Sequence, residues 1–142
     1  MARCVGCLSS TSRRHHAETA GVACIVIAVV GVFFLGMGIY GLVAPERLIK
    51  PFGIALDRPE ARAEVRAVYG GFGVAIAGVL GYAVLHPQLR AGIALTVAVA
   101  LAGMALGRVV SALCGDRTRF YPNWFYFAVE ALAAAALLLA AV

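Results

Sequence analysis

The sequence predicts an all-α integral membrane protein, a bundle of four transmembrane helices. Three observations support this fold class. Hydrophobic residues make up 63% of the 142-residue chain and charged residues only 13%, a composition unlike that of a water-soluble domain. Four apolar stretches each approach the roughly 20 residues that a bilayer-crossing helix needs. Charged residues fall mainly before the first stretch and in the connections between stretches.

One transmembrane domain, residues 20–142, is expected from these stretches. The predicted spans cover residues 21–44, 65–85, 91–114 and 124–142. The first stretch, at about 24 residues, is longer than the core of 7–15 residues in a signal peptide, so we interpret it as a retained span. His86 and Pro87 are expected to end the second span, because the residue before a proline is disfavoured in a helix.

The two polar segments differ from each other. Residues 1–19 place arginine and histidine among small polar residues without a hydrophobic period, which predicts a disordered polar tail. Residues 45–66 mix charged and apolar residues, which predicts an amphipathic interfacial segment between helices one and two. The second helix is expected to start inside this segment, with Asp57 as its cap, Pro59 in its first turn and Glu60 completing a capping box.

Small residues on the spans indicate where helices approach closely. Lipid tails are as apolar as leucine, so helices associate in a membrane through close packing, which small side chains permit. Three patterns of this kind occur, namely Gly73, Ala77 and Gly81 on span two, Gly103 and Gly107 on span three, and Gly31 and Gly38 on span one. They predict contact faces within a bundle.

Two ionisable residues lie inside predicted spans, where each costs about 2.5–3.5 kcal/mol to insert. Arg108 stands six residues before the end of span three, and Glu130 stands six residues after the start of span four. At 1.5 Å per residue, both therefore lie roughly 9–10 Å inside the same membrane face. We expect these two side chains to be partners.

Other polar residues on span two are predicted near the same face. The candidate ligand-binding cluster consists of Glu64, Arg66, Tyr69, Arg108 and Glu130. Two arginines and a tyrosine hydroxyl leave hydrogen-bond donors to spare, which favours a ligand that carries acceptors. The alternative is that Arg108 and Glu130 only join two helices and bind no ligand.

Three motifs in these regions resemble a known pattern. They are Glu64-Val-Arg66-Ala-Val-Tyr69-Gly70-Gly71, then Gly107-Arg108-x-x-Ser111 followed by Gly115-Asp116, and Glu130 in the last span. Together they resemble an uncharacterised family of small bacterial four-helix membrane proteins, similar in layout to the DoxX-like proteins. The resemblance covers about residues 20–142. That family has no established activity, so the resemblance implies a fold and the position of a site.

Metal and nucleic-acid chemistry have little support. Cys4 and Cys7 have metal-ligand spacing and lie near His15 and His16, but adjacent histidines rarely serve one tetrahedral ion, so no metal and no cofactor are predicted. The net charge of +5 resides mainly in the tail and the connections, where basic residues set membrane topology. No nucleic-acid partner is expected.

Three functions remain open. The first is a non-catalytic, multi-pass protein of the cell membrane. Its polar cluster would bind a lipid-like or small amphipathic molecule, or would stabilise a complex with a partner. The second is a membrane-embedded enzyme in which Glu130 or Glu64 acts as the acid or base that transfers a proton to or from an apolar substrate. The third is a transporter, which would need a homo-oligomer because one four-helix chain encloses little volume. Membrane lipid is an expected partner in each case.

Overall fold

Helices account for nearly all of the regular structure, and no strand occurs in the described part of the chain. The computed structural model describes the backbone of residues 5–142 and the side chains of residues 18–142. The helices are α1 (Val5–Val43), α2 (Pro45–Ile49), α3 (Pro59–Val65), α4 (Phe72–Leu85), α5 (Pro87–Leu113) and α6 (Phe125–Ala141). A 3₁₀ turn follows α2 at Lys50–Phe52, and π-helical segments occupy Arg66–Gly71 and Phe120–Trp124.

Four helical stretches are long and apolar enough to cross a membrane, which confirms the predicted all-α class and the number of spans. They are Glu18–Val43, Pro59–Leu85, Pro87–Leu113 and Phe120–Ala141, called spans one to four from here on. Span two consists of α3, the π-helical segment Arg66–Gly71 and α4, which follow one another as a continuous helix. The predicted boundaries differ from these by a few residues, because helical backbone continues past the apolar core into the polar flanks.

The amino-terminal segment differs from the expected disordered tail. Residues 1–4 lie outside the described part of the chain, but the backbone from Val5 onward already belongs to α1. Helical hydrogen bonds are local, so a helix can extend without a hydrophobic face to bury. No proline or glycine interrupts residues 7–20, and their arginines and alanines favour helix.

The predicted stop of span two is confirmed, whereas the predicted start is confirmed only in position and not in its capping residue. The helix begins at Pro59 as expected, but its capping residue is Arg58 in extended conformation, and no side chain caps it. The predicted cap by Asp57 is therefore wrong, and the fixed backbone angle of proline at the first helical position favours the start instead. At the other end, His86 leaves the helical region at φ −122° and ψ 85°, which confirms the predicted stop before Pro87.

The spans form a ring in which sequence neighbours are antiparallel. α1 packs against span two and against α6, while α5 packs against α6 and α4. This is the up-down-up-down arrangement that short connections favour. The connections around residues 44–58 and 114–119 therefore lie at one end of the bundle, and His86 lies at the other.

The two ends are filled differently. At the end near His86, which we call the closed end, the side chains of Ile27, Leu80 and Leu137 are completely buried. At the opposite end, which we call the cavity end, a second apolar cluster forms from Leu48, Ile49, Leu56 and Val65. Glu46 and Arg47 are exposed on the same short helix that buries Leu48 and Ile49, so α2 is amphipathic.

Glycines bring span one against span two, as predicted for Gly38 and Gly73 but not for Gly81, where an added Cβ meets nothing within 4 Å. A Cβ atom added at Gly38 would lie 2.7 Å from the backbone nitrogen of Val74, and one added at Gly73 would lie 3.0 Å from the Cα of Gly38. The predicted contact on span three is wrong within this chain. A Cβ at Gly103 or Gly107 meets nothing within 4 Å.

Candidate functional site

The predicted partnership of Arg108 and Glu130 is present as a two-pronged ion pair. The Nε of Arg108 donates to Oε2 of Glu130 at 2.8 Å, and Nη2 donates to Oε1 at 2.8 Å. The side chain of Glu130 is 7% exposed and that of Arg108 is 20% exposed. A planar guanidinium matches a carboxylate in this geometry, and hydrogen bonds between charged groups are the strong ones.

The helices explain why these two side chains meet. α5 and α6 run antiparallel and pack along their length. Arg108 precedes the short connection between them by about as many residues as Glu130 follows it. Asn123, in the π-helical start of span four, adds a third contact, because Nη1 of Arg108 donates to its Oδ1 at 3.1 Å. The carboxylate and the amide together hold the guanidinium in one orientation.

Arg108 retains unused hydrogen-bond donors. A guanidinium has five N–H groups, and the contacts to Glu130 and Asn123 use three of them. Two N–H groups, one on Nη1 and one on Nη2, therefore have no acceptor among the described residues. The ring of Tyr126 lies nearby, with its centroid 5.7 Å from Cζ of Arg108, a cation–π distance.

A cavity of about 320 Å³ adjoins the ion pair. Its polar lining is contributed by four side chains, those of Tyr69, Arg108, Tyr126 and Glu130. The remaining lining is almost wholly apolar and comes from all four spans and from the segment after α1. A predominantly apolar cavity of at least 300 Å³ with a few convergent polar groups is the usual form of a small-molecule site.

Apolar side chains line the cavity toward both ends of the bundle. Leu101, which belongs to the core of the closed end, forms its floor. Leu48 and Ile49 of α2, both buried, lie at the other end, next to Phe52 of the 3₁₀ turn. The ring of Phe52 stacks on that of Tyr126, with centroids 5.6 Å apart. The interfacial segment thus covers the cavity.

A family model described as "Domain of unknown function (DUF4345)" matches residues 22–141. The chain belongs to this family. Its membership confirms the predicted uncharacterised family, whereas the bacterial origin and the likeness to DoxX-like proteins stay predictions. No curated protein and no solved structure matches this DUF4345 chain.

The structure divides the five predicted site residues of this DUF4345 protein into two groups. Tyr69, Arg108 and Glu130 line the cavity. Glu64 and Arg66 do not line it. Both are exposed, and the Nε of Arg66 donates to the backbone oxygen of Leu42 at 3.1 Å. In an α-helix, residues three apart such as Arg66 and Tyr69 would lie on one face. A π-helical segment follows i to i+5 spacing, so this spacing fails there.

Tyr126 and Phe52 line the cavity but were not among the predicted ligand-binding residues. Tyr126 lies four residues before Glu130, one helical turn away on the same face of α6, so helical spacing was a sufficient signal for it. Phe52 belongs to the interfacial segment, and its position over the cavity depends on how that segment folds back on span four. No local pattern in the sequence encodes that fold.

The DUF4345 chain uses one of its motifs to end a helix. After α5, Gly115 adopts φ 102°, a left-handed conformation that glycine enters without strain. The backbone nitrogen of Asp116 then donates to the oxygen of Ser111 at 3.2 Å, and the hydroxyl of Ser111 donates to Oδ2 of Asp116 at 2.5 Å. These residues fix the turn that brings span four alongside Arg108.

Metal chemistry has no site in the described part of the chain. No group of three or more histidine, cysteine or acidic side chains comes together there. Cys4 lies outside the described residues, as do the side chains of Cys7, His15 and His16. The expectation about their motif stays a prediction.

Proposed function

We propose that this multi-pass membrane protein binds a lipid-like or other small amphipathic molecule in the cavity, and that it does so in the cell membrane. The acceptor group of the molecule lies at Arg108, and its apolar part lies along the cavity wall. The observation that carries this proposal is the placement of a guanidinium with two unused N–H groups in the wall of an apolar cavity.

The position of Arg108 within a membrane span, against an apolar cavity, makes those unused donors significant, although its side chain is 20% exposed. A donor without an acceptor in an apolar environment costs about 1–3 kcal/mol, more when the group is charged. An arginine that served only to join two helices would be most stable with packed side chains or further acceptors around it. Arg108 instead adjoins empty space large enough for part of a ligand. A bound acceptor satisfies the donors and fills the space at once.

The enzymatic alternative has weaker support. Both carboxylate oxygens of Glu130 accept hydrogen bonds from Arg108, so this group would have to leave its partner before it could accept a proton from a substrate. Glu64, the other predicted acid or base, is exposed and does not line the cavity. Binding without chemistry requires no such rearrangement.

Blocking the cavity without touching the ion pair tests the proposal. Met104 lines the cavity from α5, whereas Val99 on the same helix is 60% exposed and does not line it. We expect Met104→Trp to fill the cavity and Val99→Trp to face lipid. The measurement is mass spectrometry of molecules retained by protein extracted in mild detergent, with thermal stability recorded in parallel.

Wild type and Val99→Trp are expected to retain the same small molecule at close to one per chain, and Met104→Trp is expected to lose it while remaining folded. The proposal is wrong if no molecule is retained by wild type above the level of bulk lipid. It is also wrong if Met104→Trp retains as much of the molecule as Val99→Trp does.

A further inference from the structure

We infer that the ligand of this cavity is an uncharged amphiphile whose head is a hydrogen-bond acceptor such as an ester or ketone carbonyl. This inference rests on the proposed function and narrows it to a chemical class. The charges, the donors and the exposure of the cavity wall each support it.

The charge of the cavity is already balanced. Arg108 and Glu130 are the charged residues among those that line it, and they neutralise each other in a two-pronged pair. An anionic head would leave the site with an excess negative charge, and a cationic head would leave it with an excess positive charge. Either excess is unfavourable in a medium of low dielectric constant. A neutral head adds no charge.

The hydrogen-bonding groups select an acceptor among neutral heads. The free groups of Arg108 are two N–H donors, and arginine has no acceptor. Tyr69 and Tyr126 also line the cavity, and a tyrosine hydroxyl can donate as well. A carbonyl oxygen, with two lone pairs, matches this set better than a group that mainly donates.

The exposed part of the cavity wall accommodates an apolar chain. Phe33, Val68, Phe72 and Met104 line the cavity, and each is between 46% and 53% exposed. These apolar side chains lie on the flanks of spans one to three, which in a membrane face lipid. Toward the two ends of the bundle, by contrast, the cavity is lined by buried residues, namely Leu101 on one side and Leu48 and Ile49 on the other. A chain attached to the bound head therefore passes sideways into the bilayer.

Four probes of equal chain length separate the possibilities. They are methyl palmitate, palmitate, hexadecylamine and hexadecane, each tested for displacement of labelled methyl palmitate from the full chain in lipid nanodiscs. The pH is set so that the acid and the amine are both charged. Displacement from the Arg108→Met/Glu130→Leu double variant, measured in the same way, corrects for partition into the lipid.

The inference expects methyl palmitate to bind at least about tenfold more tightly than each of the other three, a difference of about 1.4 kcal/mol. Equal or tighter binding of palmitate, hexadecylamine or hexadecane would overturn the uncharged-acceptor inference but leave an amphiphile site in place. If none of the probes binds wild type better than the double variant, the inference fails. The retained-molecule measurement with Met104→Trp then decides separately whether the proposed function fails with it.

A single substitution should shift the selectivity toward the charged acid. Glu130→Gln keeps the size of the side chain and one acceptor for Arg108 but removes the negative charge. The site then carries the charge of Arg108 alone, so palmitate should gain at least about tenfold relative to methyl palmitate. Arg66→Met, outside the cavity, is the control and should leave the order of the probes unchanged. An unchanged ratio of palmitate affinity to methyl palmitate affinity in a folded Glu130→Gln variant would contradict the role of charge balance.

Discussion

The closed end and the cavity end are built from the same four spans but are held together by different forces. At the closed end, Ile27, Leu80 and Leu137 have no exposed surface, and alanines fill the spaces between them. At the cavity end the spans surround a space, and a charged pair with a covering segment joins them. Close packing of apolar side chains holds one end together, whereas a few directional bonds hold the other end together around a cavity.

The largest expected effect comes from removing one member of the charged pair. Glu130→Leu leaves Arg108 charged and without its carboxylate partner, and Arg108→Met leaves the 7%-exposed carboxylate of Glu130 unpaired. Breaking a buried pair in this way costs about 3–5 kcal/mol. Each single variant should therefore lose this much unfolding free energy, measured by denaturation in detergent. A loss below about 1 kcal/mol, the value of an exposed pair, would contradict the account of the cavity end.

The next largest effect concerns the glycine contact between spans one and two. In Gly38→Ala the new methyl group would meet the backbone nitrogen of Val74 at 2.7 Å, and backbone cannot move aside as a side chain can. We expect a loss of about 2–3 kcal/mol of stability from overpacking. Gly103→Ala is the matched control, since its methyl group meets nothing within 4 Å. The control should be neutral or stabilising, by up to about 1 kcal/mol.

Shortening one side chain at each end of the bundle compares the packing of the closed end with that of the cavity end. Leu80→Ala removes a completely buried side chain from the closed end, whereas Met104→Ala shortens a 48%-exposed side chain that already borders empty space. Leu80→Ala should cost about 2 kcal/mol, near the low end for such changes because lipid is as apolar as leucine. Met104→Ala should cost under about 1 kcal/mol. Equal losses in thermal denaturation would remove the distinction between the ends.

The smallest effect is expected at Phe52, in the interfacial segment that lies over the cavity. Phe52→Ala removes the ring that stacks on Tyr126, and such aromatic pairs contribute about 0.5–1.5 kcal/mol. Phe120→Ala is the control, because its side chain is 69% exposed. Tyrosine fluorescence should respond to Phe52→Ala and not to Phe120→Ala. A response of the same size in both variants would mean that Phe52 of the interfacial segment does not pack on Tyr126.

Much of the architecture could be predicted because it follows from local properties of the sequence. The spans follow from apolar length, the stop at His86 follows from the proline after it, and the pairing of Arg108 with Glu130 follows from helix direction and equal offsets from one connection. The placement of Arg66 could not be predicted, because the π-helical segment changes the spacing of residues around the helix.

Other features depend on tertiary contacts that no local pattern reveals. The position of Phe52 over the cavity is set by packing between the interfacial segment and span four. The glycine pattern marks Gly38 and Gly103 alike, yet the fold gives a contact only to Gly38. Small residues permit a contact, and the arrangement of the spans decides where one forms.

The double variant Arg108→Met/Glu130→Leu tests the central claim, that the charged pair serves a ligand site and not only the joining of two helices. Replacing a buried pair with apolar residues of similar volume is often neutral for stability. We expect the double variant to be about as stable as wild type and to retain no amphiphile, with both quantities measured on one purified sample. A double variant that is stable and still retains the amphiphile would contradict it.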